Sequence, residues 1–296
     1  MNNYDDLLSN VPAEGQQQSG QFSKEDYAAK KKTERDDVFS LSDSTAMDVA
    51  GDSGRFQQYL DVQSRFDRYS AVNALLILAQ KPEATRLGDF DNWKEKGGFV
   101  KPGQTGIAIL EPHEYTKEDG TPGIGYNIKK VFDISQVDDR KVKTAPTPSY
   151  DNRMLLKALI HKAPMKISGV ESLSGDLGAY TDLQTGEIFV RKGMEFADTF
   201  RSVAQELSYA EVERNENNTA DPEFTAYCAA YILCKKYGVD TQGFNFASAP
   251  SMFRGFEPQQ IKQELSSIRE AVDNISGRMA KQLDAAQKAA RNQEAR

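Results

Sequence analysis

From Pro258 onward, Ile261, Leu265, Ile268, Val272, Ile275 and Met279 recur in steps of 4, 3, 4, 3 and 4. That spacing holds an apolar stripe on one helix face for about five turns, and the stripe must be covered by a body of similar length. A second set, Phe56, Tyr59, Leu60, Phe66, Tyr69, Val72, Leu75, Leu76 and Leu78, recurs at helical spacings and predicts one or two amphipathic helices ended by Pro82. Between these helical regions lie segments with strand character. Ile107 to Leu110 is a short apolar run, Tyr126 to Phe132 alternates apolar and polar residues, and Ile188 to Val190 follows the turn Asp182 to Glu187. Helices segregated from short meanders make the fold class α+β.

The same reading divides the chain of 296 residues. Residues 1–53 hold Gln16 to Gln18, many Ser and Asp and few apolar side chains, and are expected to be a disordered acidic arm with a helical piece near Lys24 to Val38. Residues 54–137 form an α+β module containing a short helix around Trp93 with Asp91 as its N-cap. Residues 138–150, with Pro146 and Pro148, read as a linker. Residues 151–256 follow as a second α+β domain, with helices over 152–161, 195–214 and 222–237, the last ended by Gly238. Residues 257–296 are the striped helix, either a packing face or a surface for a protein partner.

Charge and composition then exclude classes of function. The longest apolar run, Ala226 to Cys234, is nine residues, against about 20 needed to cross a bilayer, so no membrane partner is expected. Two cysteines, Cys228 and Cys234, make no disulfide framework, and Met1 to Asp6 has no signal-peptide character, so a cytoplasmic protein is expected. The net charge of −7 argues against a general nucleic-acid binder, but it is unevenly spread: −6 over residues 1–54, +1 over 55–147 and −2 over 148–296.

Two segments carry candidate chemistry. The helix containing Gln205-Glu206-Leu207-Ser208-Tyr209 follows strand, turn and strand, the setting of a zinc-protease helix. Such a helix needs two histidines one turn apart and a glutamate acting as general base on bound water. The chain has two histidines, His113 and His161, and neither is in this helix. Only Glu206, at the general-base position, remains, so no metal is expected, and zinc would require an unconventional set such as Glu206, Glu211 and Glu223. In the first module, Trp93, Phe99 and Tyr115 interleave with Lys94, Lys96, Lys101 and Lys117, with Arg65 and Arg68 on the preceding helix. Aromatic platforms beside cations suit single-stranded DNA. The alternative is that Trp93 and Phe99 are core residues and the lysines a solvated rim. Asn73 either contacts a base or hydrogen-bonds within the core.

The run Gly178-Ala179-Tyr180, Glu187 to Val190, Gln205 to Glu211 and Glu223 to Cys234 resembles the C-terminal metallopeptidase domain of ArdC-type antirestriction proteins. The stretches Tyr69 to Ile77, Gln80 to Thr85, Phe90 to Trp93, Val100 to Ile107 and Val131 to Gln136 resemble that family's N-terminal single-stranded-DNA-binding domain. The resemblance implies that Gln205 and Tyr209 stand at the two histidine ligand positions and that the third ligand position falls at Glu223 or Tyr227, a degenerate zinc motif. It implies DNA-binding residues among Arg65, Arg68, Asn73, Trp93, Lys94, Lys96, Phe99 and Lys101. It further implies a single-stranded-DNA-binding protein of a mobile element, conjugative or phage, serving antirestriction or DNA transfer, with a metallopeptidase-like domain that has lost catalysis. An active zinc peptidase with unconventional ligands and a pure protein-interaction module are the alternatives.

Overall fold

The computed structural model describes residues 24–117, 119–140, 142, 149–214 and 219–294. Helix α1 spans Lys24–Gly51, α2 Ser53–Arg65 and α3 Ala71–Gln80. The short strand β1 (Leu87–Gly88), helix α4 (Phe90–Glu95) and β2 (Phe99–Val100) precede a long hairpin of β3 (Ile107–Thr116) and β4 (Pro122–Asp133), and β5 (Val137–Asp138) follows. The second half contains α5 (Asn152–Ile160), β6 (Lys166–Val170), β7 (Ala179–Asp182), β8 (Glu187–Arg191), α6 (Phe196–Arg214), α7 (Pro222–Tyr237), α8 (Ala249–Met252) and α9 (Pro258–Glu294). The fold is α+β, with sheets ordered β1-β4-β3, β2-β5 and β6-β8-β7.

Of residues 1–53, read as an acidic arm with a helical piece near Lys24 to Val38, the described part is one helix that extends beyond that piece, from Lys24 to Gly51. Val38, Ser42, Thr45, Ala46, Val49 and Ala50, spaced three and four apart, are buried. The Lys262 ammonium, itself buried, donates to Ser42 Oγ at 2.7 Å and ion-pairs with Asp43. Small side chains and one satisfied charge thus replace the apolar bulk whose absence suggested disorder. Residues 1–23 and the linker prolines Pro146 and Pro148 lie outside the described residues. Among the described residues, no helix is long and apolar enough to cross a membrane.

One apolar cluster runs through both halves of the compact unit Val38–Arg296. Phe56 of α2 meets Phe224 of α7 at 5.6 Å, and also Phe246 and Phe253. Phe56, fully buried, contributes about 1.5–3 kcal/mol. Asp61 of α2 accepts from the Tyr231 hydroxyl at 2.7 Å, and Asp67 pairs with Lys236. The stripe Ile261, Leu265, Ile268, Val272, Ile275 and Met279 of α9 is buried in this cluster, so it is a packing face. The division near residues 138–150 therefore follows chain order and does not separate two cores.

The β3 edge explains two polar residues of the apolar helix α3. Asn73 donates to the Leu110 carbonyl at 2.9 Å and accepts from the Leu110 N–H at 2.8 Å. Gln80, two turns on, does the same with Ala108 at 2.9 Å in both directions. The two amides satisfy the outward backbone groups that an edge strand leaves unpaired. Asn73 is thus a core pin, not a base contact. We expect Asn73→Ala to lower the unfolding free energy by about 1–2 kcal/mol, since water reaches the vacated site only in part. Urea denaturation checks this.

Candidate functional site

Two regions bring candidate residues together. In the second half, Gln205, Glu206 and Tyr209 sit within one turn of α6, and Glu223 lies in the first turn of α7, whose N-cap Asp221 accepts from the Phe224 N–H at 2.9 Å. Together with Leu177, Tyr180 and the rest of β7 they line a cleft of about 730 Å³. The Tyr227 hydroxyl accepts the Asn245 N–H at 2.7 Å and its ring packs on Phe244 and Phe246, so Glu223 and not Tyr227 faces the cleft. Glu211, expected as an unconventional ligand, is buried in an ion pair with Arg278 at 2.9 Å and does not join them.

Burial pushes the Glu206 carboxyl above its ordinary range, and the charge of Glu223 pushes it further, against hydrogen bonds from Thr181. The Tyr209 phenol is raised as well, by burial and by Glu213, Glu223 and Glu206. A raised carboxyl binds its proton more tightly in the folded than in the unfolded chain, so its contribution to stability falls as pH rises through the folded pKa. We expect Glu206→Gln to match the wild-type melting temperature near pH 4 and to exceed it increasingly toward pH 7, as measured by circular dichroism. Among the described residues no group of three or more His, Cys, Asp or Glu side chains converges as a metal site.

The first half presents two adjoining depressions that share Tyr69, Asn73, Leu110 and Pro112. The smaller, about 390 Å³, is bordered by Asp89, Lys96 and Lys129; the larger, about 670 Å³, by Phe39, Arg68, Ile124, Tyr126, Lys262 and Arg269. Phe39 and Tyr126 meet edge to face at 6.1 Å and remain partly exposed, 36% and 40%. Arg269 Nε donates to the Tyr69 carbonyl and Arg269 pairs with Asp273, whereas Arg68 is exposed and without a partner among the described residues.

The sequence-predicted DNA residues separate here. Arg68 and Lys96 border the depressions, with Lys96 Nζ 5.5 Å from the Trp93 ring. Trp93 itself is 0% exposed, its indole N–H donates to the Phe132 carbonyl at 2.9 Å, and a Cβ on Gly88 would come within 3.1 Å of its ring. It is core and offers no stacking face. Asp89, not Asp91, caps α4 by accepting from the Asn92 N–H. Arg65 ends α2 and donates to the Pro82 carbonyl, while Arg68 lies in the following turn, so the two do not share a helix face. Lys94, Phe99 and Lys101 are exposed but border neither depression. Phe39, Tyr126 and Arg269 carry no local motif, and only the hairpin's alternation pointed to Tyr126.

Residues 48–150 match the family model of the N-terminal domain of anti-restriction factor ArdC. An uncharacterized Bacillus anthracis protein, pXO2-81, is 24% identical over 279 residues, covering 74% of this chain and 47% of that protein, so the chain spans about half the length of this curated relative. The crystal structures of the antirestriction ArdC protein from plasmid R388 share 17% identity over 72% of this chain. The metal-free form covers 86% of that chain with a TM-score of 0.49, and the Mn(II)-bound form 85% with a TM-score of 0.50. At 17% identity the likeness to the Mn(II)-bound form concerns the fold.

Proposed function

We propose, for a chain that its N-terminal domain makes one of the ArdC type, that it binds single-stranded DNA across the two depressions, as an antirestriction or DNA-transfer accessory of a conjugative element or phage. One observation carries the reading: within the compact unit, Tyr69, Tyr126 and Phe39 lie in one groove with Arg269, which pairs with Asp273, and with Arg68, which has no partner among the described residues. Ring faces take successive bases and guanidinium groups take the phosphates. The few free cations, with Asp89 and Glu111 close to Lys129, imply a shallow salt dependence.

The second cleft is read as non-catalytic. A neutral amide and a protonated phenol stand where imidazoles would hold zinc, and the two carboxylates Glu206 and Glu223 do not complete a set for zinc or manganese. Elemental analysis of protein purified without chelators is expected to find far less than one equivalent of either metal. Fluorescence anisotropy with labelled oligo(dT) at low salt tests the DNA reading. Binding that a duplex of the same length competes for weakly supports it; no binding, or equal competition by duplex, refutes it.

A further inference from the structure

The two depressions of the first half differ in chemistry. The larger is lined by Arg68, Lys262 and Arg269 and by no carboxylate, a lining suited to phosphates. The smaller is lined by the ammonium groups of Lys96 and Lys129 and by the carboxylates of Asp89 and Glu111, so its formal charges cancel. A lining without net charge gives a phosphodiester little attraction. It does offer donors and acceptors in fixed places, which is what reading the edge of an unpaired base requires.

Local structure fixes those groups. Asp89 caps α4 by accepting the Asn92 N–H at 2.8 Å, and its other oxygen pairs with Lys129 at 3.0 Å. The hairpin register sets Ile109 opposite Lys129 and Glu111 opposite Asn127, so Glu111 and Lys129 are diagonal neighbours on one face, and they pair through Glu111 Oε1 at 2.9 Å. The hydrogen bonds to Glu111 and Asp89 hold the Lys129 ammonium well above its usual range, so it stays charged. Lys96 Nζ donates to Asn92 Oδ1 at 2.8 Å. Once these bonds are made, Glu111 Oε2 and the Asn92 amide N–H groups have no partner among the described residues, and the Lys96 ammonium keeps two N–H groups to give. Leu87, Ile109 and Val131 add apolar surface for a ring.

We propose that this depression reads one base of the bound strand and selects guanine. Guanine alone among the four bases sets two donors, N1–H and an N2–H, side by side, and a carboxylate accepts such a pair with both oxygens. Glu111 has Oε2 free, and Oε1 retains a lone pair beside its bond to Lys129. The other edge of guanine carries the acceptors O6 and N7, which match the Lys96 ammonium and the Asn92 amide. Adenine and cytosine place a ring acceptor beside their amino group, where the carboxylate repels it, and thymine holds its one N–H between two carbonyls. The inference rests on the DNA reading above and adds a sequence preference to it.

Labelled oligonucleotides of one length, titrated with the full chain at low salt and followed by fluorescence anisotropy, test it. They are oligo(dT) throughout, or oligo(dT) with one central guanine, hypoxanthine, adenine or cytosine. The guanine oligomer is expected to bind about tenfold tighter than oligo(dT). Hypoxanthine, which lacks only the N2 amino group, gives up most of that gain, and adenine and cytosine give up all of it. In the Glu111→Gln protein the ratio between the guanine and thymine oligomers falls to near one. Glu111 is exposed, so the variant keeps the fold, and a ratio is blind to any general change in affinity. Equal binding of the guanine and thymine oligomers by the wild type overturns the preference and leaves the DNA reading standing, whereas no binding of any oligomer overturns both. A full preference that survives Glu111→Gln, or that hypoxanthine reproduces, removes Glu111 from base recognition and overturns the proposal.

Discussion

Replacing Trp93 by alanine lowers the unfolding free energy by about 3–5 kcal/mol, the cost of emptying a fully packed aromatic site. The side chain is sealed on every face: α4 carries it inward, Gly88 leaves it room, and its one polar atom is bonded to Phe132. Truncation removes the ring and strips the Phe132 carbonyl of its donor, and neither neighbour can collapse into the gap without moving the β1–β4 pair. Because this is the only tryptophan, its fluorescence reports the site directly. Wild-type emission is expected to be blue-shifted, protected from acrylamide and unmoved by saturating oligonucleotide. Circular dichroism in urea measures the stability of the variant. A stable Trp93→Ala protein, or quenching by DNA, would return Trp93 to the role of stacking platform.

The double substitution Phe39→Ala with Tyr126→Ala is expected to weaken oligo(dT) binding by about 30-fold, from the loss of about 2 kcal/mol of base stacking. Both rings are partly exposed and touch each other across the groove, so removing them together avoids one substituting for the other. Little stability is lost, since neither side chain belongs to the buried core. Arg68→Glu adds a separate signature: weaker binding at low salt and a salt slope reduced by about one. Anisotropy titrations at two ionic strengths separate the stacking loss, which salt leaves in place, from the charge loss, which salt erases.

The elements were legible where one residue type dominates a period. The α9 stripe is buried residue by residue, Gly238 takes the left-handed conformation that ends α7, and Gln205, Tyr209 and Glu223, singled out by the resemblance, line one cleft with Glu206. What escaped reading depends on contacts distant in sequence. The buried face of α1 is built of Ser42, Thr45, Ala46 and Ala50, small residues whose burial is stabilised by α9 and by Lys262, about 220 positions later. Trp93 and Phe99 share an interleaved pattern of aromatics and lysines, yet Trp93, in α4, is fully buried and Phe99, in the two-stranded β2–β5 pair, is 57% exposed. The groove joins Phe39, Arg68, Tyr126 and Arg269 from four elements, and no local spacing announces such a set.

Single-stranded DNA is expected to lie across the two depressions that share Tyr69. Photo-crosslinking of an oligonucleotide containing 5-iododeoxyuridine, followed by mass spectrometry of the tryptic peptides, locates it in one measurement. Crosslinks at Tyr69, Tyr126 and Phe39, lost on competition with unlabelled oligo(dT), are the result expected. Crosslinks confined to Phe99 or Tyr180, away from both depressions, would contradict it.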